Sequence, residues 1–156
     1  MVDRYVLSAS AKGEDKMIIK ISTENEVTVH EYPKGDDSEQ LQYLKSLIGE
    51  KCTTVEHVTP RRLYTVVGAS DNPTKVRGNA ASILVDEEGY FHNLPINAIG
   101  SYLYESDLHG NPILGNLLVI GEFDNGDGIE FSNLSNSQFN IIFPEINQLA
   151  KKAREC

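Results

Sequence analysis

Apolar residues recur along this chain with two different periods, and each change of period marks an element. Glu26 to Tyr32 (EVTVHEY) alternates with period two, which places Val27 and Val29 on one face of a strand before Pro33-Lys34-Gly35-Asp36 breaks it. Arg4 to Leu7 and Met17 to Ile21 are β-rich runs around the polar Lys12 to Asp15 turn, and together they predict a hairpin. From Ser38 the spacing lengthens. Leu41, Leu44, Leu47 and Ile48 recur at helical intervals, Ser38 is placed to cap the first turn and Gly49 to stop the last, so residues 38–48 are expected to be helical.

Beyond this helix, Thr53 to Val58 and Leu63 to Val67 read as strands on either side of Pro60-Arg61-Arg62, followed by a turn-rich loop from Gly68 to Gly78. Ser82 to Asp86 is a strand that Glu87-Glu88-Gly89 turns into Tyr90-Phe91. Pro95 suits the first position of a short helix through Tyr104, with Ile96, Ile99 and Leu103 on its apolar side. Gly115 to Phe123 is the most hydrophobic strand and is expected at the centre of the sheet. Pro144 to Lys152 predicts a C-terminal helix with proline near its start, glutamate early and lysine late, matching the helix dipole. The fold class that follows is α+β: one domain spanning 1–156, with a mainly antiparallel sheet of about five to seven strands and two or three helices covering one face.

Composition fits that picture. The 156 residues suffice for one core, and 40% hydrophobic with 24% charged residues is ordinary for a globular domain. The formal charge of −9 argues against direct nucleic-acid binding, which draws its affinity from clustered lysine and arginine. Cys52 and Cys156 are too few for a disulfide framework and read as reduced thiols; with neither a signal-peptide pattern nor a long apolar run, the expected location is cytoplasmic, away from membranes.

Four short runs, Leu41 to Gly49 (LQYLKSLIG), Val85 to Gly89 (VDEEG), Leu94 to Ala98 (LPINA) and Ile113 to Gly121 (ILGNLLVIG), carry a resemblance. In this order they resemble domain of unknown function 3846, a small module of bacteria, phages and some eukaryotes. The likeness covers roughly residues 39–122; Asn72 to Ala80 is insertion-like against it, and the N-terminal hairpin and C-terminal helix fall outside. It implies a fold and no activity.

The chemistry-bearing residues offer several readings. Asn93, Asn97, Asp107, His109 and Asn111 lie within HNLPIN and DLHGN, and their amides and imidazole are candidates for a shared ligand or partner site. The competing reading makes the asparagines and Asp107 caps of helices and turns. His30, His57, His92 and His109 lack the close spacing of a zinc site. Asp124 to Glu130 (DNGDGIE) superficially resembles a calcium loop, but its glycines fall at the wrong positions, and a hairpin turn is the better description. Cys52 adjoins Lys51, a potential activator, yet has no neighbouring base in sequence and reads as a structural thiol.

With no assembled nucleophile, acid/base pair or metal set, the expected function is a non-catalytic binding or regulatory module with a protein partner and no cofactor. Gly68 to Gly78 and Asn97 to Asn111 would form its contact surface, with Tyr102, Tyr104 and Leu108 as anchors unless they are core. Two alternatives stay open: an enzyme or small-molecule binder using Asn97, Asp107 and His109, and an acidic nucleic-acid mimic built on Asp36, Asp37, Glu39, Asp86, Glu87 and Glu88.

Overall fold

The computed structural model describes residues 17–67, 80–124 and 126–155, so the Arg4 to Leu7 run, the Gly68 to Gly78 loop and Cys156 lie outside the described residues. Six strands form one antiparallel sheet: β1 (Met17–Ile21), β2 (Val27–Glu31), β3 (Val55–Val58), β4 (Ala81–Asp86), β5 (Leu117–Asp124) and β6 (Ile129–Ser132). Their order is β2-β1-β5-β4-β3, with β6 also paired to β5. Five helices accompany the sheet among the described residues: α1 (Asp37–Ile48), α2 (Arg61–Val67), α3 (Ala98–Tyr104), α4 (Ser106–His109) and α5 (Asn136–Glu155). The chain is thus α+β, with more helices than the two or three expected.

β5 is the centre of the sheet, flanked by β4 on one edge and by β1 and β6 on the other. Leu117, Leu118, Val119 and Ile120 are all fully buried, as a continuous apolar run must be when both faces of its strand are covered. Ile19, Ile21, Ile83, Val85, Leu117 and Val119 pack with residues of α2, α3 and α5 in the larger core. On the opposite face Ile18, Leu84, Leu118 and Ile120 meet Leu44 and Ile48 of α1. Helices therefore cover both faces, not one.

Local details depart from the sequence expectations for identifiable reasons. Leu63 to Val67, expected as a strand, is the greater part of α2: Leu63 is 1% exposed in the larger core, and that burial overrides the strand preference of the Thr65-Val66-Val67 run. β1 pairs with β2 on one edge and with β5 on the other, and the expected hairpin partner at residues 4–7 lies outside the described residues. The α1 cap is Asp36, two residues before Ser38. Its carboxylate accepts from Glu39 N at 2.8 Å while Glu39 Oε1 accepts from Asp36 N at 3.0 Å.

α3 starts after Asn97, and Pro95 and the half-exposed Ile96 precede it on an isolated bridge to Leu114. α5 begins at Asn136, two turns before Pro144, which sits inside the helix. Its true start is a reciprocal bond pair between Ser135 and Gln138, and its buried stripe runs from Phe139 through Ile142, Phe143 and Ile146 to Ala150. β5 and β6 pair as an antiparallel hairpin across the expected turn, with Gly126 at φ +98.

Candidate functional site

Residues 87–116 leave the sheet at the end of β4 and return to it at β5, and this excursion holds all five sequence candidates. Asn97 lies at its innermost point, fully buried. Its amide nitrogen donates to Ile21 O at 3.1 Å and Gly115 O at 3.0 Å, and its Oδ1 accepts from Gly100 N at 2.9 Å. All three links are structural, so Asn97 caps α3 and has no free group for a ligand. Close packing completes the corner: a Cβ on Gly100 would stand 2.4 Å from Leu117 Cδ2.

The other four candidates are scattered. Asn93 is exposed and occupies a left-handed turn position at φ 57, a conformation asparagine tolerates better than most residues. Asp107 is exposed and faces Arg62 at 3.6 Å; Arg62 also approaches Glu105 at 3.8 Å, donates to Tyr102 O and lies 4.3 Å over the Tyr102 ring. Asp107 therefore helps pin α2 to the junction of α3 and α4. The His109 side chain lies outside the description. Asn111 is exposed and lines a groove.

That groove encloses about 520 Å³, within the size range of small-molecule pockets. Its floor is Val58, Val85, Ile113 and Leu114, and its flanks are Tyr90, Tyr104 and Asn111. Glu56 and Glu87 contribute two carboxylates, Asp86 borders the groove from a side chain turned to the opposite face of β4 and 2% exposed, and no basic residue lines the groove among the described residues. Antiparallel pairing of Glu56 with Val85 and Val58 with Ile83 puts the β3 residues on the larger-core face, at the corner beyond the C-terminal end of α3.

Asp86 organises the adjoining turn. Its Oδ2 accepts from His92 Nδ1 at 2.7 Å and its Oδ1 from Glu88 N at 2.8 Å, while its side chain is only 2% exposed. A buried carboxylate held by two such donors fixes the turn that carries Tyr90 and Phe91. Those rings are 74% and 82% exposed and meet edge to face, 5.9 Å between centroids. Sequence reading placed His92 among ordinary histidines; an aspartate ending a strand six residues before a histidine across a tight turn was the available signal. Of the expected anchors, Tyr102 and Leu108 are exposed, whereas Tyr104 packs partly against the core.

Asp86 also lines a second hollow of about 240 Å³ with Cys52, Ile48, Leu94 and Asn116. Burial and the negative Asp86 push the Cys52 thiol up to about 11, against a smaller opposing effect of Lys45. Near neutrality Cys52 is a protonated thiol, and the activation by Lys51 considered from sequence is not what its surroundings produce. His57 lies 3.7 Å from the buried Glu122 and edge to face with Phe131, and His30 bonds Thr28. Burial, then Lys20, hold His30 below the usual histidine range. No three His, Cys, Asp or Glu side chains gather as metal ligands among the described residues, and no helix among them is long and apolar enough to cross a membrane. No family model, curated protein or solved structure matches this chain.

Proposed function

We propose that the domain is a non-catalytic binding module that docks a protein partner on the corner formed by the groove and the Tyr90-Phe91 turn. The observation that carries the reading is the exposure of two adjacent aromatic rings, 74% and 82%, on a turn held by a buried carboxylate. Such rings bring large apolar area to a contact with little side-chain entropy to lose, and binding hot spots favour them. Two of the four runs that carry the resemblance to domain of unknown function 3846 contribute to this region: Val85 to Gly89 forms the groove wall and turn, and Ile113 to Gly121 the floor and β5. On this reading the contact surface moves from the Asn97 side of the excursion to its Asp86 side. The module needs no cofactor and works in the cytoplasm, where Cys52 stays reduced.

A second reading, a small-molecule site, draws support from the groove volume; its candidate residues then become Asn111, Glu56 and Tyr104 in place of Asn97 and Asp107. The two separate in one experiment. Immobilised protein is compared with the double variant Tyr90→Ser, Phe91→Ser and with Tyr43→Ser, a change on the distant α1. Retained proteins lost with the double variant and kept with Tyr43→Ser support docking through the turn. Identical retention by all three overturns it.

A further inference from the structure

The groove borders a strand edge that is unpaired among the described residues. β3 ends the sheet and pairs only with β4 among the described residues, so no described residue takes up the backbone groups of its outer edge, the kind of edge to which a further strand adds. Glu56 and Val58 project from β3 to the groove face, and Glu56 is exposed. A strand added to that edge would present every second side chain to the same face. There it would meet an apolar floor and the carboxylates of Glu56 and Glu87, with no basic residue among the described lining. The protein as a whole is acidic, at −9, so a cationic partner is also favoured at long range.

We infer that the partner is an extended basic peptide segment that adds to the β3 edge and lays a lysine or arginine side chain in the groove. The aliphatic stem packs on Val58, Ile113 and Leu114, and the cationic head reaches Glu56 and Glu87 beside Tyr90 and Tyr104, groups whose charge and ring faces both attract a cation. Asp86 stays on His92 and Glu88 N and adds its charge to the field without leaving them. This inference rests on the docking reading and specifies the chemistry of its partner.

The probe is a fluorescein-labelled hexapeptide alternating valine and lysine, followed by anisotropy against the intact chain. Three further peptides accompany it: one with glutamate for lysine, one N-methylated at every backbone nitrogen, and the unlabelled parent as competitor beside free spermidine. The inference expects binding of the lysine peptide that weakens with salt, and on the order of tenfold weaker binding with Glu56→Gln, Glu87→Gln. It expects little change with Glu24→Gln, Glu145→Gln, an equal loss of charge at exposed positions elsewhere. N-methylation must abolish binding if the backbone adds as a strand. Equal weakening by both charge pairs, tight binding of the glutamate peptide, or retention of the N-methylated peptide overturns the inference, as does spermidine competing as well as the parent peptide. If the peptides fail while Tyr90→Ser, Phe91→Ser still loses protein partners, the basic-segment chemistry falls and the docking reading stands.

Discussion

The 87–116 excursion is flanked by Asp86 and anchored at Asn97, and the two corners each centre on a buried polar side chain yet behave in opposite ways. At the Asn97 corner every polar group has a protein partner and the packing leaves no room even for a methyl group on Gly100. At the Asp86 corner the carboxylate is equally well held, but the residues around it leave a groove and two bare aromatic rings. A buried polar side chain thus serves closure in one place and presentation in the other, and the difference lies in what surrounds it.

The strongest way to break the comparison is to destroy the closed corner. Asn97→Ala is expected to cost about 3–5 kcal/mol, because it strands the Ile21 and Gly115 carbonyls and the Gly100 N–H in a dry site; urea unfolding measures it. Leu118→Ala, a control in the smaller core, should cost about 2–5 kcal/mol by the same measurement. Gly100→Ala tests packing alone and should cost about 1–3 kcal/mol as Leu117 is forced aside.

At the open corner, Asp86→Asn exchanges two bonds to a carboxylate for weaker neutral ones and should cost about 1–2 kcal/mol, with peptide binding weakened because the turn loosens. Tyr90→Ser, Phe91→Ser should change stability by less than about 0.5 kcal/mol while removing partner binding. A large stability loss in that last variant would erase the distinction between the corners.

Alkaline unfolding sharpens the picture of Asp86's other side. The Cys52 thiol ionises near 9.0 when unfolded and near 11 when folded, so the unfolded chain releases its proton first. The stability this contributes is complete below pH 9 and is lost as pH rises to about 11. Tyr64, raised from 10.0 to about 12 chiefly by burial and then by Glu122, extends the same fall. Cys52→Ala should flatten the first part of that slope in thermal melts, and an unchanged slope would show that Cys52 does not titrate as its burial requires.

Much of the fold was legible because periodicity reports burial directly. The period-two run of β2, the helical spacing of α1 and the unbroken apolar run of β5 each matched the face or faces that the sheet covers. Leu63 to Val67 failed because a β-branched run carries a strand preference, while its helical state depends on Leu63 reaching a core assembled from distant segments. Pro144 masked the earlier start of α5, where Ser135 and Gln138 carried the capping signal. At the candidate site, the capping role of Asn97 was one of the readings the sequence offered, but the groove was not visible: it arises where β3, β4 and residues 104–114 meet, and no local pattern records that meeting.

The central position of β5 also bears on how the domain is made. β1 and β2 form one antiparallel pair and β3 and β4 another, and among the described strands the two pairs are joined by Leu117–Asp124, which inserts between β1 and β4. Emerging from a ribosome, the first 116 of the 156 residues would present β1 and β4 without the strand that pairs their inner edges, templates for pairing with other nascent chains. Folding waits on a late, long-range closure, which sets a slow clock for this domain and makes fragments ending before Leu117 prone to aggregate.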